Sequence, residues 1–257
     1  MKIVTWNVNS LKAREGFVAR FLDALEPDVL CIQELKLEEE LVPRDLFTAR
    51  GYQLAIHAQR QWNGVLIASK RPIDAVETPL GAVEEGEARA IAATIGGVRF
   101  VNLYCPQGQS VESPKFPYKL AFYDGLIDWL GARVDPAEPW VLMGDLNVAP
   151  LPADVWDPAL FVNVPSFHPE EHARWAKIEA LGLEDVVRPR VPAGTHTFWD
   201  YRGGAFHKRQ GMRIDHVLMT PPAAARVQEA WVEREWRKKK DDLAPSDHAP
   251  VVVTLAD

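Results

Sequence analysis

The chain has 257 residues, 47% of them hydrophobic, which suits a single domain over residues 1–257 with a large core. No run reaches the roughly 18 apolar residues of a membrane helix, and Met1-Lys2 leads straight into a β-like run without the apolar stretch of a secretory leader, so a cytoplasmic, non-membrane protein is expected. The formal net charge of -7 weighs against a nucleic-acid binder. The cations are clumped, however, and a local basic stripe can coexist with an acidic total.

Lys2 to Val8 reads as a strand. Apolar residues then recur at helical spacing from Leu11 to Leu25, with Asn9 or Ser10 placed to cap and Pro27-Asp28 to stop the helix. Val29 to Glu34 reads as a buried strand holding Cys31. Further strands are expected at Tyr52 to His57, Gly64 to Ser69, Ala90 to Ile95 and Val98 to Tyr104, the last two joined by a Gly96-Gly97 hairpin. Lys115 to Leu130 is predicted helical, Trp140 to Gly144 a short strand, and Pro169 to Leu181 a helix with acids in its first turn, as the dipole favours. Arg213 to Met219, Arg226 to Trp231 and Pro250 to Leu255 finish as strands. Cys31 and Cys105 both sit in apolar runs and read as small buried residues, not metal ligands or a disulfide. Two mixed sheets packed face to face with helices outside bury this pattern, giving an α/β (α+β) four-layered sandwich.

Polar residues gather where strands begin or end. Asn7 and Asn9 close the first strand, Gln33-Glu34 the second, Tyr104 to Gly108 the one after the hairpin, and Asp145-Leu146-Asn147 the Trp140 strand; Asp215-His216 and Asp247-His248 open strands. Asp and Asn at such places are ordinarily turn formers. Their repetition at one kind of position points instead to a shared rim. Hard oxygen ligands suit Mg²⁺ or Mn²⁺, and the lack of a cysteine cluster disfavours zinc. Glu34 is the candidate metal anchor. Asp145 and Asn147, two apart on an extended segment, face the same way, so a base and a hydrogen-bond donor could meet one phosphate. His248 can touch a phosphate oxygen while Asp215 orients its imidazole.

Taken together, Trp6-Asn7-Val8-Asn9-Ser10, Ile32-Gln33-Glu34, Tyr104-Cys105-Pro106-Gln107-Gly108, Gly144-Asp145-Leu146-Asn147-Val148-Ala149-Pro150, Gly211-Met212-Arg213-Ile214-Asp215-His216 and Ser246-Asp247-His248-Ala249-Pro250 resemble the ordered signature set of the exonuclease III family, in the endonuclease/exonuclease/phosphatase superfamily. The resemblance runs from residue 3 to about residue 252 and implies a DNase I-like sandwich. It implies Glu34, Asn7 and Asp247 about one or two divalent metals, Mg²⁺ with Mn²⁺ able to substitute, with Asp145 and Asn147 adjoining them. Asp145 would orient or deprotonate the attacking water, and Tyr104, Asn147 and His248 would stabilise the phosphate, with Asp215 supporting His248. Whether Asp145 or the His248–Asp215 pair is the base stays open.

Thr197-Phe198-Trp199-Asp200-Tyr201-Arg202 and the basic stretch into Arg213 resemble the DNA-repair branch. The implied pocket for a flipped abasic sugar is Phe198, Trp199, Met212 and Ile214, with Arg202 as a duplex wedge; a lesion without a base flips most cheaply. Gln107, Lys115 and Lys119 would contact backbone phosphates, and Asn63 lies in a loop that resembles a DNA-binding one. The implied activity is metal-dependent incision of double-stranded DNA 5′ to abasic sites and trimming of 3′ ends by a monomer. Asn9 stands where some members of the family carry Asp, which removes one carboxylate. A phosphatase or lipid phosphodiesterase on the same scaffold is the first alternative, and a non-catalytic RNA- or protein-binding relative the second. The intact set Glu34, Asp145, Asn147, Asp215 and His248 argues against the latter.

Overall fold

Successive strand residues face opposite ways. Ile3 and Val4 are both wholly buried, as are Leu30 and Cys31, so each sheet must be covered on both faces. The computed structural model, which describes residues 1–78 and 87–256, shows how this is met. Its elements in chain order are β1 (Lys2–Asn7), α1 (Leu11–Leu25), β2 (Val29–Gln33), α2 (Asp45–Thr48), β3 (Gln53–His57), β4 (Val65–Ser69), β5 (Ile73–Glu77), β6 (Ala90–Ile95), β7 (Val98–Tyr104), α3 (Lys115–Gly131), β8 (Trp140–Asp145), α4 (Pro169–Ala180), β9 (Glu184–Asp185), β10 (Asp215–Met219), α5 (Pro221–Ala224), β11 (Val227–Val232) and β12 (Val251–Leu255).

One sheet runs β11-β12-β1-β2-β4-β3 and the other β5-β6-β7-β8-β10-β9. Each is mixed: β1 lies parallel to β2 and β7 to β8, whereas the other pairings are antiparallel. Ile3, Cys31 and Ile67 from the first sheet pack between the sheets on Ile91, Phe100, Val141 and Val217 from the second. The outer face of the first sheet, with Val4 and Leu30, is covered by Phe17 and Phe21 of α1 and by Trp236. The outer face of the second is covered by Phe122 and Leu126 of α3 and Trp175 and Ile178 of α4. The four-layered sandwich expected from the sequence is therefore the observed fold.

The local signals operate as chemistry requires. Ser10 caps α1 by accepting from the Ala13 amide. Gly96 and Gly97 both take positive φ in the β6–β7 hairpin. At α4, His168 caps, Pro169 opens the first turn, and Glu171 reaches back to the His168 amide. Two strands escape sequence reading. β5 is a half-exposed edge strand, and its register slips at a bulge where Ala75 has φ 47°. β9 is only Glu184–Asp185.

Gly144 sits immediately before Asp145 at the end of β8, paired with Leu103 of β7. Its φ is 147°, and a Cβ there would lie 2.0 Å from the Leu103 carbonyl oxygen. Only glycine lets the parallel strands approach this closely. Gly144→Ala is expected to lower unfolding free energy by about 3 kcal/mol or more, read as a fall in the urea midpoint at unchanged m-value.

Candidate active site

The functional side chains stand at one rim, where β1, β2, β7 and β8 end and β10 and β12 begin. The Asn7 amide nitrogen donates to Glu34 Oε1 at 2.8 Å and to Asp145 Oδ2 at 2.9 Å, so one amide spans a carboxylate from each sheet. Asn7 Oδ1 accepts from the Asn9 amide, so it is the nitrogen end of Asn7 that faces the carboxylates. The second Glu34 oxygen pairs with Lys36 Nζ at 2.7 Å. His248 Nδ1 donates to Asp215 Oδ2 at 2.9 Å, and its Nε2 faces Asp145 Oδ2 at 3.7 Å. Asp145, Asp215 and His248 are all buried and bring potential ligand atoms within 4.8 Å of one another. Asn147 is fixed by its amide to Asp145 Oδ1 and by its side-chain nitrogen to the Cys105 carbonyl. Asp247 is at the cluster's margin, accepting from Asn9 Nδ2 at 3.0 Å.

Crowding acids in a buried place sets their protonation. Burial, with Asp215 and Glu34 adding to it, pushes Asp145 up to about 7 against the pull of His248. Burial alone would lower His248, but Asp215 and Asp145 raise it to about 10. Burial likewise works to raise Glu34, yet the Lys36 ammonium and Asn7 amide hold it below the usual range. Burial next to Glu34 and Asp145 keeps the Tyr104 hydroxyl protonated well beyond its ordinary range. The cluster presents clustered hard oxygens with an imidazolium and a phenol beside them. It can hold a divalent cation and a phosphate together.

Beside His248 lies an apolar wall. Phe198 packs on the imidazole at 4.9 Å between ring centroids, and Phe198, Met212, Ile214 and Val155 form one cluster. On the other flank, a cavity of about 340 Å³ is lined by Asn63, Tyr104, Gln107, Lys115 and Trp62. Trp62, 71% exposed at φ 67°, was not foreseen, because exposure of a lone tryptophan has no local sequence signature.

Several residues expected to touch DNA are placed otherwise. Lys119 is wholly buried: its ammonium ion-pairs with buried Glu171 and donates to the Asn147 and Gln107 carbonyls, locking two rim loops to α3 and α4. Arg213 is also wholly buried, held by Asp154 and Asp185, and donates to His216 Nδ1 while His216 Nε2 donates to the Val148 carbonyl. Trp199 is 2% exposed and packs on Ala205 and Ala249, away from the Phe198 wall. Extended neighbours alternate faces, so Phe198 and Trp199 could not both line one pocket. Ile214 and Asn63 are largely buried too, though each borders its cavity or wall. Arg202 is exposed, as are Gln107 and Lys115, which line the cavity beside Tyr104.

Comparison with known proteins matches this architecture. The model of the endonuclease/exonuclease/phosphatase family matches residues 4–248. The chain belongs to that family. It is 31% identical to exodeoxyribonuclease III of Haemophilus influenzae over 98% of both chains. An AP endonuclease from Archaeoglobus fulgidus superposes with a TM-score of 0.94 at 36% identity, covering 100% of each chain. A Neisseria 3′ phosphatase, NExo, whose structure holds a product DNA hairpin, superposes with a TM-score of 0.93 at 36% identity, again over 100% of each chain. These relatives mark this family member as a nuclease.

Two outcomes follow from the buried charges. Lys119→Ala strands Glu171 and is expected to cost about 3–5 kcal/mol in urea unfolding, while Lys115→Ala stays within about 0.5 kcal/mol of wild type. The second concerns pH in EDTA. Asp145 has a folded pKa above its unfolded value, so its contribution is present at low pH and lost as pH rises from about 4 through about 7. His248 has the same sign, and its contribution is lost from about 6.5 through about 10. The metal-free melting temperature should therefore fall from pH 5 to 9, and Asp145→Asn should flatten the lower half of that fall; calorimetry across the range checks it.

Proposed function

We propose that this nuclease is a divalent-metal-dependent DNA-repair phosphodiesterase that incises double-stranded DNA 5′ to abasic sites and removes nucleotides or blocking groups from 3′ ends, acting as a cytoplasmic monomer. The observation that carries the reading is the Asn7-bridged pair Glu34–Asp145 facing the His248–Asp215 pair, next to the Phe198 wall. Among the described residues no helix is long and apolar enough to cross a membrane. The relatives named for abasic sites, 3′ ends and product DNA support the choice of substrate.

Glu34 and Asp145 would hold Mg²⁺, with Mn²⁺ able to substitute, and Asn147 and Asp247 would serve a second position. A metal bound there neutralises charge on the phosphate and screens the crowded carboxylates. Asp145, beside His248 Nε2 and the Asn7 amide, would take a proton from the attacking water, its carboxylate form favoured once a cation is bound beside it. His248, held cationic to about 10, is a poor proton acceptor at neutral pH and instead donates from Nε2 to a phosphate oxygen, with Asp215 fixing the ring. The Tyr104 hydroxyl, kept protonated, is a second donor. Asn147, tied to both Asp145 and the Cys105 carbonyl, sets the distance between them. Phe198, Met212 and Ile214 offer an apolar surface to a sugar that carries no base. Exposed Arg202 stands ready as a wedge, and Gln107 and Lys115 as phosphate contacts.

A labelled duplex with one abasic-site analogue tests the reading. Incision 5′ to the lesion should require Mg²⁺ or Mn²⁺, vanish in EDTA, and drop by roughly a thousandfold or more in Asp145→Asn. Absence of incision by folded protein with either metal would overturn the reading in favour of a phosphatase or a lipid phosphodiesterase. Binding to the same duplex adds a check on charge placement. Lys115→Ala should reduce the slope of log K against log salt by about one.

A further inference from the structure

One layer below the catalytic rim, the space between the sheets holds polar side chains. Thr5, Gln33 and Asn102 are wholly buried. Strand alternation points them into the layer that also holds Ile3, Cys31 and Phe100. Each stands close in the chain to a rim residue. Thr5 is two before Asn7 on β1, Gln33 immediately precedes Glu34 at the end of β2, and Asn102 is two before Tyr104 on β7. Gln33 Nε2 donates to Thr5 Oγ1 at 2.9 Å and, across the layer, to Asn102 Oδ1 at 2.6 Å. Asn102 Nδ2 reaches back across it to the Ile32 carbonyl at 3.0 Å and the Leu66 carbonyl at 2.9 Å. Ile32 and Leu66 are paired in register between β2 and β4. One amide of the second sheet therefore grips two strands of the first.

Stability does not account for this polar rung. Gln33 Oε1 is buried without a partner among the described residues. A half-satisfied polar group in a dry core costs more than an apolar side chain of the same shape. Hydrogen bonds supply what apolar contacts lack, which is direction. Packing sets how far apart the sheets lie, whereas bonds of preferred angle set how one slides over the other. Sliding matters one level up. Glu34 follows β2 in one sheet, Tyr104 closes β7 in the other, and the two side chains lie beside each other. We infer that Gln33 and Asn102 are positioning residues, whose cross-sheet bonds hold Glu34 and Tyr104 at the separation that phosphodiester hydrolysis requires. This rests on the roles given to Glu34 and Tyr104 above. Both positioning residues are sealed below the rim and act only through their neighbours in the chain.

Gln33→Met keeps the side chain's length and removes its bonds to Thr5 and Asn102, leaving the Asn102 bonds to backbone in place. On the abasic-site duplex with Mg²⁺, kcat should fall about tenfold to a hundredfold, the range for lost support of a metal ligand or a displacement near 1 Å. KM, and duplex affinity in EDTA, should stay within about twofold of wild type. Calorimetric Mn²⁺ affinity without DNA should weaken several-fold. Combined with Tyr104→Phe, Gln33→Met should cost far less than the product of the two single losses, because both act at one place. Ile95→Val, at the far end of the same layer, is the control: a lower urea midpoint with kcat unchanged. If Gln33→Met does not fold, Thr5→Val, isosteric and short of one acceptor, should still lower kcat several-fold at unchanged KM. Wild-type kcat in a folded variant, or losses that multiply fully with Tyr104→Phe, overturns the inference and leaves the nuclease reading standing. Absence of incision by the wild-type protein sinks that reading, and the inference with it.

Discussion

The Asn7 amide joins a carboxylate from each sheet at the catalytic rim, and Gln33 and Asn102 add further buried hydrogen bonds between the sheets. The two Asn7 amide hydrogens reach Glu34, at the end of β2 in one sheet, and Asp145, at the end of β8 in the other. Each carboxylate alone would be repelled by the other and by Asp215 nearby. One neutral amide satisfies both without cancelling their charge, so the site keeps the negative potential that draws a cation. That geometry holds only while the sheets keep their spacing, which the inner layer of Ile3, Cys31, Phe100, Val141 and Val217 fixes. Gly144 contributes from the backbone side by letting β8 approach β7 closely enough to bring Asp145 beside Asn7.

Beneath the rim lie charges largely shielded from solvent, with only Asp185 among them part-exposed. Lys119 with Glu171, and Arg213 with Asp154 and Asp185, are buried pairs, each with further hydrogen bonds to loop backbone. Such pairs contribute little net stability, but removal of one partner is severe. Their value here is geometric. Lys119 grips the Asn147 carbonyl, and His216, supported by Arg213, grips the Val148 carbonyl next to it. Positions 147 and 148 are thus pinned from two sides, which holds Asn147 against Asp145. Part of the acidic excess lies in the catalytic cluster, in Glu34, Asp145, Asp215 and Asp247, while Lys115, Arg202 and Lys239 are exposed.

Much of this was legible in the sequence, because the relevant signals are local. Alternation of apolar residues located the long strands, glycines marked the hairpin, and polar residues at strand ends marked the rim. Asn7, Glu34, Asp145, Asn147, Asp215 and His248 do come together. What failed depends on distant partners. Lys119 and Arg213 look like DNA-facing cations until Glu171, 52 positions from Lys119, and Asp154, 59 positions from Arg213, are placed beside them. β5 was missed because its bulge breaks the alternation. Trp199 was the avoidable error, since alternation already placed it opposite Phe198.

On the proposed reading, the position of Phe198 would join selection to catalysis. Its ring packs on His248 and its backbone pairs with Met212, so the surface proposed to meet a sugar is also part of the apolar wall beside the imidazole. Dehydration strengthens the Asp215–His248 interaction, because the same charges attract more in a low-dielectric setting. A sugar seated on Phe198 would extend that wall and remove more water from the pair. A substrate without a base, or with its terminal sugar free to turn inward, can make this contact, whereas a paired nucleotide must first unstack. On the proposed reading, discrimination would arise without any reading of base edges: a substrate without a base would complete the apolar enclosure around His248 and hold its proton against the phosphate.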